Sequence, residues 1–318
     1  MGKLEQCFDL LVWKRDRKTC RFVISNMGKY SIKELERLSG IKAHTIRIWE
    51  KRYNIIEPER TDTNIRFYSD DDLKKIINVS VLNSHGIKIS KIVGLSADEL
   101  NVQVEELSES KNHAEIPIDQ LVVAMLDLDE EHFEEILAKY VKKYGFEKTV
   151  TGIIYPFLEK IGVLWLTGSV TPAHEHFITN LIRQKLIATI AALPIPSKKA
   201  HRAILFLPEG EMHELGLLFH HYLTRHVGFR TYYLGQSLPH EELKKIYDTH
   251  RPQIIITSLT TIPAHDKLEQ YLQTLSADFP NSTILVSGWL LRNTAFRIPK
   301  NVKLFDKASE LPKLLSSL

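Results

Sequence analysis

The stretch Pro208-Glu-Gly-Glu-Met-His-Glu-Leu-Gly216 lies between two segments of different character. Residues 203–207, Ala-Ile-Leu-Phe-Leu, are apolar throughout and have the length of a buried strand, whereas residues 217–225 have the pattern of a helix. The loop therefore joins a strand to a helix and places His213 at the carboxyl end of a parallel strand. Open α/β sheets bind their ligands at that edge.

His213 is the candidate metal ligand of this loop. One imidazole nitrogen can bind a metal ion, and the carboxylate of Glu211, two residues earlier, can hold the other nitrogen and raise its basicity. Gly216 would let the first turn of the following helix approach a ligand closely. From spacing alone, a single histidine in a loop is more often an ordinary surface residue than a metal ligand. The role of His213 therefore depends on what the neighbouring segments predict.

Strands and helices alternate through residues 200–318, which predicts a parallel sheet with right-handed crossovers in a flavodoxin-like order. Ser258 ends the third predicted strand, and Gly288 follows the fourth. Both residues are expected beside the loop of His213. The remaining strands are predicted at residues 230–234, 253–257, 283–287 and 302–305.

Residues 117–195 predict a bundle of four antiparallel helices, because apolar residues recur there at helical spacing. Within this segment, Trp165 is followed after nine residues by Glu175-His176. A tryptophan at a helix end usually belongs to a core, and a Glu-His pair in a first helical turn usually faces solvent. The pattern of residues alone therefore leaves their role open.

Residues 28–95 predict a helix-turn-helix domain with a wing. Ser31 and Glu34 have the spacing of a capping box at the start of a first helix, which Gly40 ends, and a second helix follows directly. Residues 56–68 then predict a small β-hairpin, the wing.

The charge distribution separates this domain from the segment that follows it. Residues 28–95 contain 13 Lys and Arg against 9 Asp and Glu, a net charge of +4, whereas residues 96–119 contain 7 acidic residues and one Lys, a net charge of −6. The asymmetry favours a nucleic-acid-binding domain followed by a solvated linker at residues 96–116. A small helical domain with ordinary surface charges is the alternative.

The composition of the whole chain limits the classes of protein it can be. With 318 residues, 43% of them hydrophobic, the chain is long enough for two or three domains. Cys7 and Cys20 form neither a metal-binding pair nor a disulfide framework, which fits the reducing cytoplasm. No apolar run approaches about 18 residues, so no transmembrane helix is expected. Residues 1–27 are predicted to be an N-terminal extension without the form of a signal peptide.

Three stretches in residues 30–35, 45–53 and 66–73 resemble the winged helix-turn-helix domain of MerR-type transcription regulators. They read Tyr-Ser-Ile-Lys-Glu-Leu, Thr-Ile-Arg-Ile-Trp-Glu-Lys-Arg-Tyr and Arg-Phe-Tyr-Ser-Asp-Asp-Asp-Leu. The resemblance implies double-stranded DNA as a partner, with Trp49 in the domain core. Arginine side chains suit this role because their fork matches phosphate and guanine. The expected DNA-binding residues are Thr45, Arg47, Arg52, Arg60, Arg66 and Tyr68.

Two further motifs resemble cobalamin-binding regulators. Glu211-x-His213-x-x-Gly216 is similar to the Asp-x-His-x-x-Gly motif of cobalamin-binding domains, which implies His213 as the lower ligand of cobalt. The spacing from Trp165 to Glu175-His176 is similar to that of the helical bundle that caps adenosylcobalamin in light-responsive regulators. The resemblance implies that these side chains lie near the adenosyl group. It also implies that the nucleotide tail of the cofactor enters the sheet at Ser258, Ser287 and Gly288.

The domain order as a whole resembles the coenzyme-B12-dependent photoreceptor regulators of the CarH/LitR type, over residues 28–318. This resemblance implies a cytoplasmic homo-oligomer that represses transcription at an operator of dyad symmetry. It implies adenosylcobalamin between the bundle and the sheet domain, control by light, and no enzymatic activity. The chain departs from the family in reading Ser258-Leu259-Thr260 and Ser287-Gly288-Trp289, and in placing Leu166 where relatives carry a histidine.

Two alternatives stay open from the sequence. A MerR-type regulator could keep this fold without binding cobalamin, which the altered Ser287-Gly288-Trp289 segment allows. The chain could also be the cobalamin-carrying subunit of a methyltransferase or mutase. That reading requires a separate partner chain, because a substrate barrel needs about 200 or more residues.

Overall fold

The computed structural model describes residues 30–60, 64–110, 115–166, 170–264, 267–291 and 297–317. The chain divides into two compact units, and the division falls between Ile178 and Thr179. Residues 30–178 of the described chain form a helical unit, and residues 179–317 form a unit built on a β-sheet. The expected N-terminal extension lies outside the described residues.

The helix-turn-helix begins with α1 (Ile32–Ser39) and α2 (Ala43–Tyr53). The Ser31 side chain accepts a hydrogen bond from the backbone of Glu34, and the Glu34 side chain accepts one from the backbone of Ser31, so the capping box is confirmed. Gly40 ends α1 with a left-handed φ of 72°, a conformation that glycine adopts without strain.

The wing follows as a two-stranded antiparallel hairpin of β1 (Glu59–Arg60) and β2 (Arg66–Phe67). Its tip at residues 61–63 lies outside the described part of the chain. Next come α3 (Asp70–Ser84) and α4 (Ile89–Ile92). Three aspartates occupy the first turn of α3, where the helix dipole favours negative charge.

The segment predicted to be a linker is helical over most of its length, as α5 (Ala97–Ser110). Its apolar residues Leu100 and Val104 are buried. Asn78 of α3 donates a hydrogen bond of 2.7 Å to the side chain of Asn101. The acidic segment therefore begins as a helix that packs on the DNA-binding domain.

The segment predicted to be a four-helix bundle contains four helical rods. The first two are α6 (Glu115–Asp127) and α7 (Glu130–Tyr144). The third is interrupted, because a π-helical turn at Val150–Ile154 separates α8 (Phe146–Thr149) from α9 (Tyr155–Leu166). The fourth is α10 (Pro172–Ala192). Phe133 and Phe157 meet edge to face in the core at 5.8 Å.

The second unit contains a five-stranded parallel sheet in the order β4-β3-β5-β6-β7, which confirms the flavodoxin-like prediction. The strands are β3 (Arg202–Pro208), β4 (Arg230–Leu238), β5 (Ile254–Ser258), β6 (Thr283–Ser287) and β7 (Val302–Leu304). The helices between and after them are α11 (Glu214–His226), α12 (His240–His250), α13 (Leu268–Asp278) and α14 (Leu311–Ser316).

The strand order reverses between β3 and β5, and this switch point brings two loops together at the carboxyl edge of the sheet. One loop follows β3 and carries His213, and the other follows β5. A crevice at such a switch point is the usual ligand site of open α/β sheets. In the parts of the chain that the structure describes, no helix is long and apolar enough to cross a membrane.

Candidate functional site

The recognition helix α2 turns a basic face to solvent because its apolar face is buried. Ile46 and Trp49 pack into the core of the domain, as expected for Trp49. Arg47 and Lys51, one helical turn apart, lie on the exposed side. The helix therefore offers cations at a surface that a DNA groove can approach.

The wing completes a concave basic surface with α2. A groove of about 570 Å³ is lined by Arg47, Lys51, Arg60 and Arg66, together with uncharged and acidic neighbours. The structure thus brings together three of the predicted DNA-binding arginines. Lys51 was missed from the sequence, although its spacing of four residues from Arg47 is the signal that places it on the same helix face.

Glu50 of the recognition helix contacts two residues of the wing segment. One of its carboxylate oxygens lies 3.4 Å from Arg66 Nε, and the other accepts a hydrogen bond of 3.1 Å from the Tyr68 hydroxyl. Arg60 instead donates to the side chain of Asn64 at 2.6 Å. The acidic residue of the recognition helix therefore holds the wing in place.

Tyr68 differs from its expected role as a DNA contact. Its exposed fraction is 0%, and its backbone pairs with Tyr30 in an antiparallel bridge. Burial raises the pKa of Tyr68 to about 12, and nearby Glu50 adds to the shift. Tyr68 thus supports the wing from the core because its hydroxyl is already committed to Glu50.

The two remaining predicted DNA contacts lie on α2. Thr45 is half-buried, with its hydroxyl 3.3 Å from His44 Nε2. The Arg52 guanidinium is exposed and lies 5.2 Å from the centre of the Tyr53 ring.

The carboxylate of Glu211 is fully buried in the sheet unit, with an exposed fraction of 0%. Its Oε1 atom accepts hydrogen bonds from His213 Nδ1 and from the backbone N–H groups of Met212 (3.0 Å) and His213 (3.2 Å). The predicted contact between the two side chains is therefore confirmed. The carboxylate fixes the orientation of the imidazole ring.

The second oxygen of Glu211 is held by the loop that follows β5. Oε2 accepts hydrogen bonds from the backbone N–H groups of Thr260 (3.0 Å), Thr261 (2.7 Å) and Ile262 (3.2 Å). Burial by itself raises the pKa of Glu211, but the hydrogen bonds from His213 and Thr261 outweigh it and lower the pKa to about 2. These three loop residues were missed from the sequence, since nothing in it indicates that their backbone faces Glu211.

The end of β4 fastens the same loop from its other side. Ser237 Oγ accepts a hydrogen bond of 3.0 Å from Gly210 N, and Ser237 N donates one of 3.1 Å to the carbonyl of Glu211. Gln236 donates to the carbonyl of Met212 at 2.6 Å. The position of His213 is thus set by three strands of the sheet.

Ser258 and Ser287 pair in register at the ends of β5 and β6, and both are buried. The Ser287 hydroxyl has no hydrogen-bond partner among the residues that the structure describes. Gly288 has a φ of 119°, and a Cβ atom there would lie 2.3 Å from the carbonyl oxygen of Leu259. The chain itself therefore requires glycine at this position.

Gly216 lies in the first turn of α11, and a Cβ atom there would meet no atom within 4 Å. The neighbouring Glu214 accepts a hydrogen bond of 3.2 Å from the Tyr233 hydroxyl. Its other oxygen lies 2.8 Å from Arg183 Nε, an ion-pair distance without the alignment of a hydrogen bond. These contacts hold the start of α11 in place, and the space next to the Cα atom of Gly216 remains open.

Of Trp165, Glu175 and His176 in the helical segment, the structure describes the side chains of the last two only. Trp165 belongs to the last turn of α9, and the placement of its side chain lies outside the described set. In the first turn of α10, Glu175 is half-buried and His176 is exposed. The adjacent His174 is buried, with Nδ1 3.3 Å from the Thr171 hydroxyl, and burial lowers its pKa.

Two segments of the chain match known protein families. Residues 30–99 match the family described as MerR HTH family regulatory protein, and residues 117–189 match the family described as B12 binding domain. The chain therefore contains a segment of the MerR helix-turn-helix family and a segment of the B12-binding family.

Two curated proteins that are similar to this chain are transcription regulators. The HTH-type transcriptional repressor CarH of Myxococcus xanthus is 28% identical over 257 residues, which cover 79% of this chain and 85% of that protein. The HTH-type transcriptional repressor CarA of the same organism is 27% identical over 244 residues, which cover 76% of this chain and 80% of that protein. Both of these relatives are named as transcriptional repressors.

The fold of this chain also has a solved counterpart. The monomethylamine corrinoid protein of Methanosarcina barkeri superposes with a TM-score of 0.54 at 14% identity, over 65% of this chain and 100% of that one. At this identity the similarity shows the fold alone. It agrees with a helical segment followed by a parallel sheet.

Proposed function

We propose that this MerR-type regulator is a repressor that binds operator DNA of dyad symmetry as a homo-oligomer and is controlled by adenosylcobalamin. The observation that carries the cofactor assignment is the hydrogen bond between Glu211 and His213 Nδ1. A carboxylate partner at Nδ1 fixes the tautomer in which Nε2 has the lone pair. His213 Nε2 is then the nitrogen that would bind the cobalt.

The other predicted residues of the sheet unit fit a corrinoid. The buried Ser287 hydroxyl, which lacks a partner in the described chain, would gain one from the nucleotide tail. Ser258 and Gly288 lie at the same edge, and the open space at Gly216 leaves room above the first turn of α11. When bound, adenosylcobalamin supplies a cobalt–carbon bond that light can break.

In the helical unit, we assign Trp165, Glu175 and His176 to the adenosyl side of the cofactor, on the resemblance of their spacing. Leu166, which follows Trp165, has no atom that can bind cobalt. We therefore propose that illumination leaves no protein nitrogen above the cobalt, so that DNA release depends on steric changes near Trp165 and Glu175.

For DNA, we propose that Arg47, Lys51, Arg60 and Arg66 contact the operator from the groove between α2 and the wing. One such domain reads a half-site, and a symmetric pair reads a dyad. The sides of the groove carry four cations, which favours phosphate and guanine as partners. We expect the protein to act in the cytoplasm, where its operator is found.

The deciding experiment mixes purified protein with adenosylcobalamin in darkness and records its absorption spectrum and binding affinity. Wild-type protein should give the spectrum of cobalt with imidazole below it. His213→Ala should lose most of its affinity or keep the cofactor's own base on cobalt. His201→Ala, at an exposed histidine of the same unit, serves as the matched control. Equal spectra and affinities for all three proteins would overturn the assignment of His213.

A second candidate is a regulator of the same fold that binds no cobalamin. Trp289 favours it, since this bulky residue begins a 3₁₀ turn directly after Gly288 at the edge where the nucleotide tail would enter. The same titration separates the two candidates. A wild-type protein that leaves the spectrum of adenosylcobalamin unchanged at millimolar concentration would support the second.

A further inference from the structure

The helical unit contains a cavity of about 320 Å³ that none of the residues assigned to DNA or cobalamin lines. Its walls come from α3 of the DNA-binding domain, from α5, and from α6 and the first turns of α7. The volume lies at the lower end of the range for small-molecule sites in proteins. The cavity is therefore large enough for a small organic molecule.

Two buried amides form the inner part of the cavity. Asn78 and Gln120 each have an exposed fraction of 7%. Asn78 donates to the Asn101 side chain at 2.7 Å, but Gln120 makes no hydrogen bond to any described residue. Polar groups inside folded proteins usually have hydrogen-bond partners, so whatever fills the cavity has to provide those of the Gln120 amide. The Gln120 amide lines the cavity and points to a polar ligand there.

The outer part of the cavity is acidic. Asp127, Asp129, Glu131 and Glu135 line it, and no Lys or Arg does so within the described ranges. Asp127 already pairs with Lys74 at 2.6 Å, and Asp129 caps α7 by accepting a hydrogen bond of 3.0 Å from His132 N. Among the described residues, the charges of Glu131 and Glu135 have no cationic counterpart of that kind, apart from His132, whose Nδ1 lies 3.9 Å from Glu135.

We propose that this cavity binds a small organic cation that carries primary ammonium groups, in the manner of an aliphatic polyamine. An ammonium group donates three hydrogen bonds, which the Gln120 carbonyl and the carboxylates of Glu131 and Glu135 can accept. A metal ion suits the site less well, because the described residues contain no group of three or more His, Cys, Asp or Glu placed to hold one.

The position of the cavity gives such a ligand a regulatory role. Asn78 belongs to α3 of the DNA-binding domain and Gln120 to α6 of the bundle, and the ion pair of Lys74 with Asp127 joins the same two helices. A cation bound between them stabilises this arrangement of the DNA-binding domain on the bundle. The inference does not depend on cobalamin, since none of these residues is among those assigned to the cofactor.

The test titrates the full chain, without DNA or corrinoid, with spermidine in a calorimeter. Wild-type protein should bind one spermidine per chain in a saturable manner. Glu131→Gln/Glu135→Gln should weaken binding at least tenfold, as should Gln120→Leu. The matched control is Glu241→Gln/Glu242→Gln, two carboxylates of α12 that are not part of the cavity. It should bind as the wild type does.

Three outcomes would overturn the proposal. The first is the absence of saturable heat at millimolar spermidine in wild-type protein. The second is equal weakening in the cavity and α12 variants, which would indicate non-specific attraction to acidic residues. The third is competition by a neutral diol of the same chain length, which would remove the requirement for a cation. Should Gln120→Leu fail to fold, the double glutamine variant, which changes exposed residues only, still decides.

Discussion

The Glu211 carboxylate accepts a hydrogen bond of 2.7 Å from the backbone N–H of Thr261, although 50 residues separate them in the chain. The same carboxylate holds His213 Nδ1 through its other oxygen. The ring of His213 is therefore oriented by a loop that follows a different strand. A substitution of Glu211 should therefore change both the stability of the sheet unit and the orientation of the His213 imidazole.

Glu211→Gln should destabilise the protein and weaken cobalamin binding. The amide that replaces one oxygen cannot accept hydrogen bonds, so either the N–H groups of the β5 loop or the ring of His213 lose their acceptor. We expect a loss of about 1–3 kcal/mol in the free energy of unfolding. Urea unfolding measures it, with Glu209→Gln at an exposed neighbour as control. A loss no larger than that of Glu209→Gln would contradict the role of Glu211 in holding the loop after β5.

Arg47→Ala should weaken operator binding by about 1–3 kcal/mol and reduce the slope of the salt dependence by about one. The reason is that an exposed guanidinium in the groove neutralises a phosphate or reads a guanine. Binding is measured at several salt concentrations. Lys142→Ala, which removes an exposed charge from α7, is the control. An operator affinity within twofold of wild type would mean that α2 is not the recognition helix.

Tyr68→Phe should behave differently from Arg66→Ala. The phenylalanine keeps the buried ring and loses only the hydrogen bond to Glu50, which costs about 0.5–1.5 kcal/mol of stability. DNA affinity should fall less than in Arg66→Ala, which removes an exposed cation of the groove. If Tyr68→Phe loses more operator affinity than Arg66→Ala at unchanged stability, its hydroxyl contacts DNA after all.

Gly288→Ala and Gly216→Ala form a matched pair with opposite expected effects on stability. The alanine at 288 would clash with the Leu259 carbonyl and needs a left-handed φ, so it should destabilise the fold by about 1–3 kcal/mol. The alanine at 216 meets no atom and lies in a helix, where it should stabilise by about 0.5–1 kcal/mol. Thermal unfolding checks both values.

The Gly216→Ala variant also tests whether cobalamin contacts the first turn of α11. If cobalamin occupies the space above α11, Gly216→Ala should weaken cofactor binding in spite of its greater stability. A titration of the cofactor with this variant gives the answer. Unchanged affinity would place the corrinoid away from Gly216.

Illumination of the protein loaded with adenosylcobalamin should remove the adenosyl group without giving the spectrum of cobalt held by imidazole on both faces. Leu166 supplies no donor, His174 is buried, and His176 is exposed in the first turn of α10. The absorption spectrum and the elution volume in gel filtration, before and after light, test this expectation. A bis-imidazole spectrum that persists in both His174→Ala and His176→Ala would contradict it.

The sequence alone predicted the order of elements because their signals are local. The capping box at Ser31, the left-handed turn at Gly40 and the continuous apolar strands each arise from residues a few positions apart. Alternating strands and helices then limit a sheet to few topologies, so the flavodoxin-like order followed. The pairing of Glu211 with His213 was predictable for the same reason, since they lie two positions apart.

Only the tertiary structure decided which distant groups meet. The N–H groups that bind Glu211 belong to a loop 49 to 51 residues away, and no pattern within that loop indicates its partner. Tyr68 carries a hydroxyl suited to DNA, but the pairing of β2 and Tyr30 turns it into the core. The cavity beside Gln120 likewise exists only because α3, α5 and α6 pack together, and the burial of the Gln120 side chain at its wall is a property of that packing.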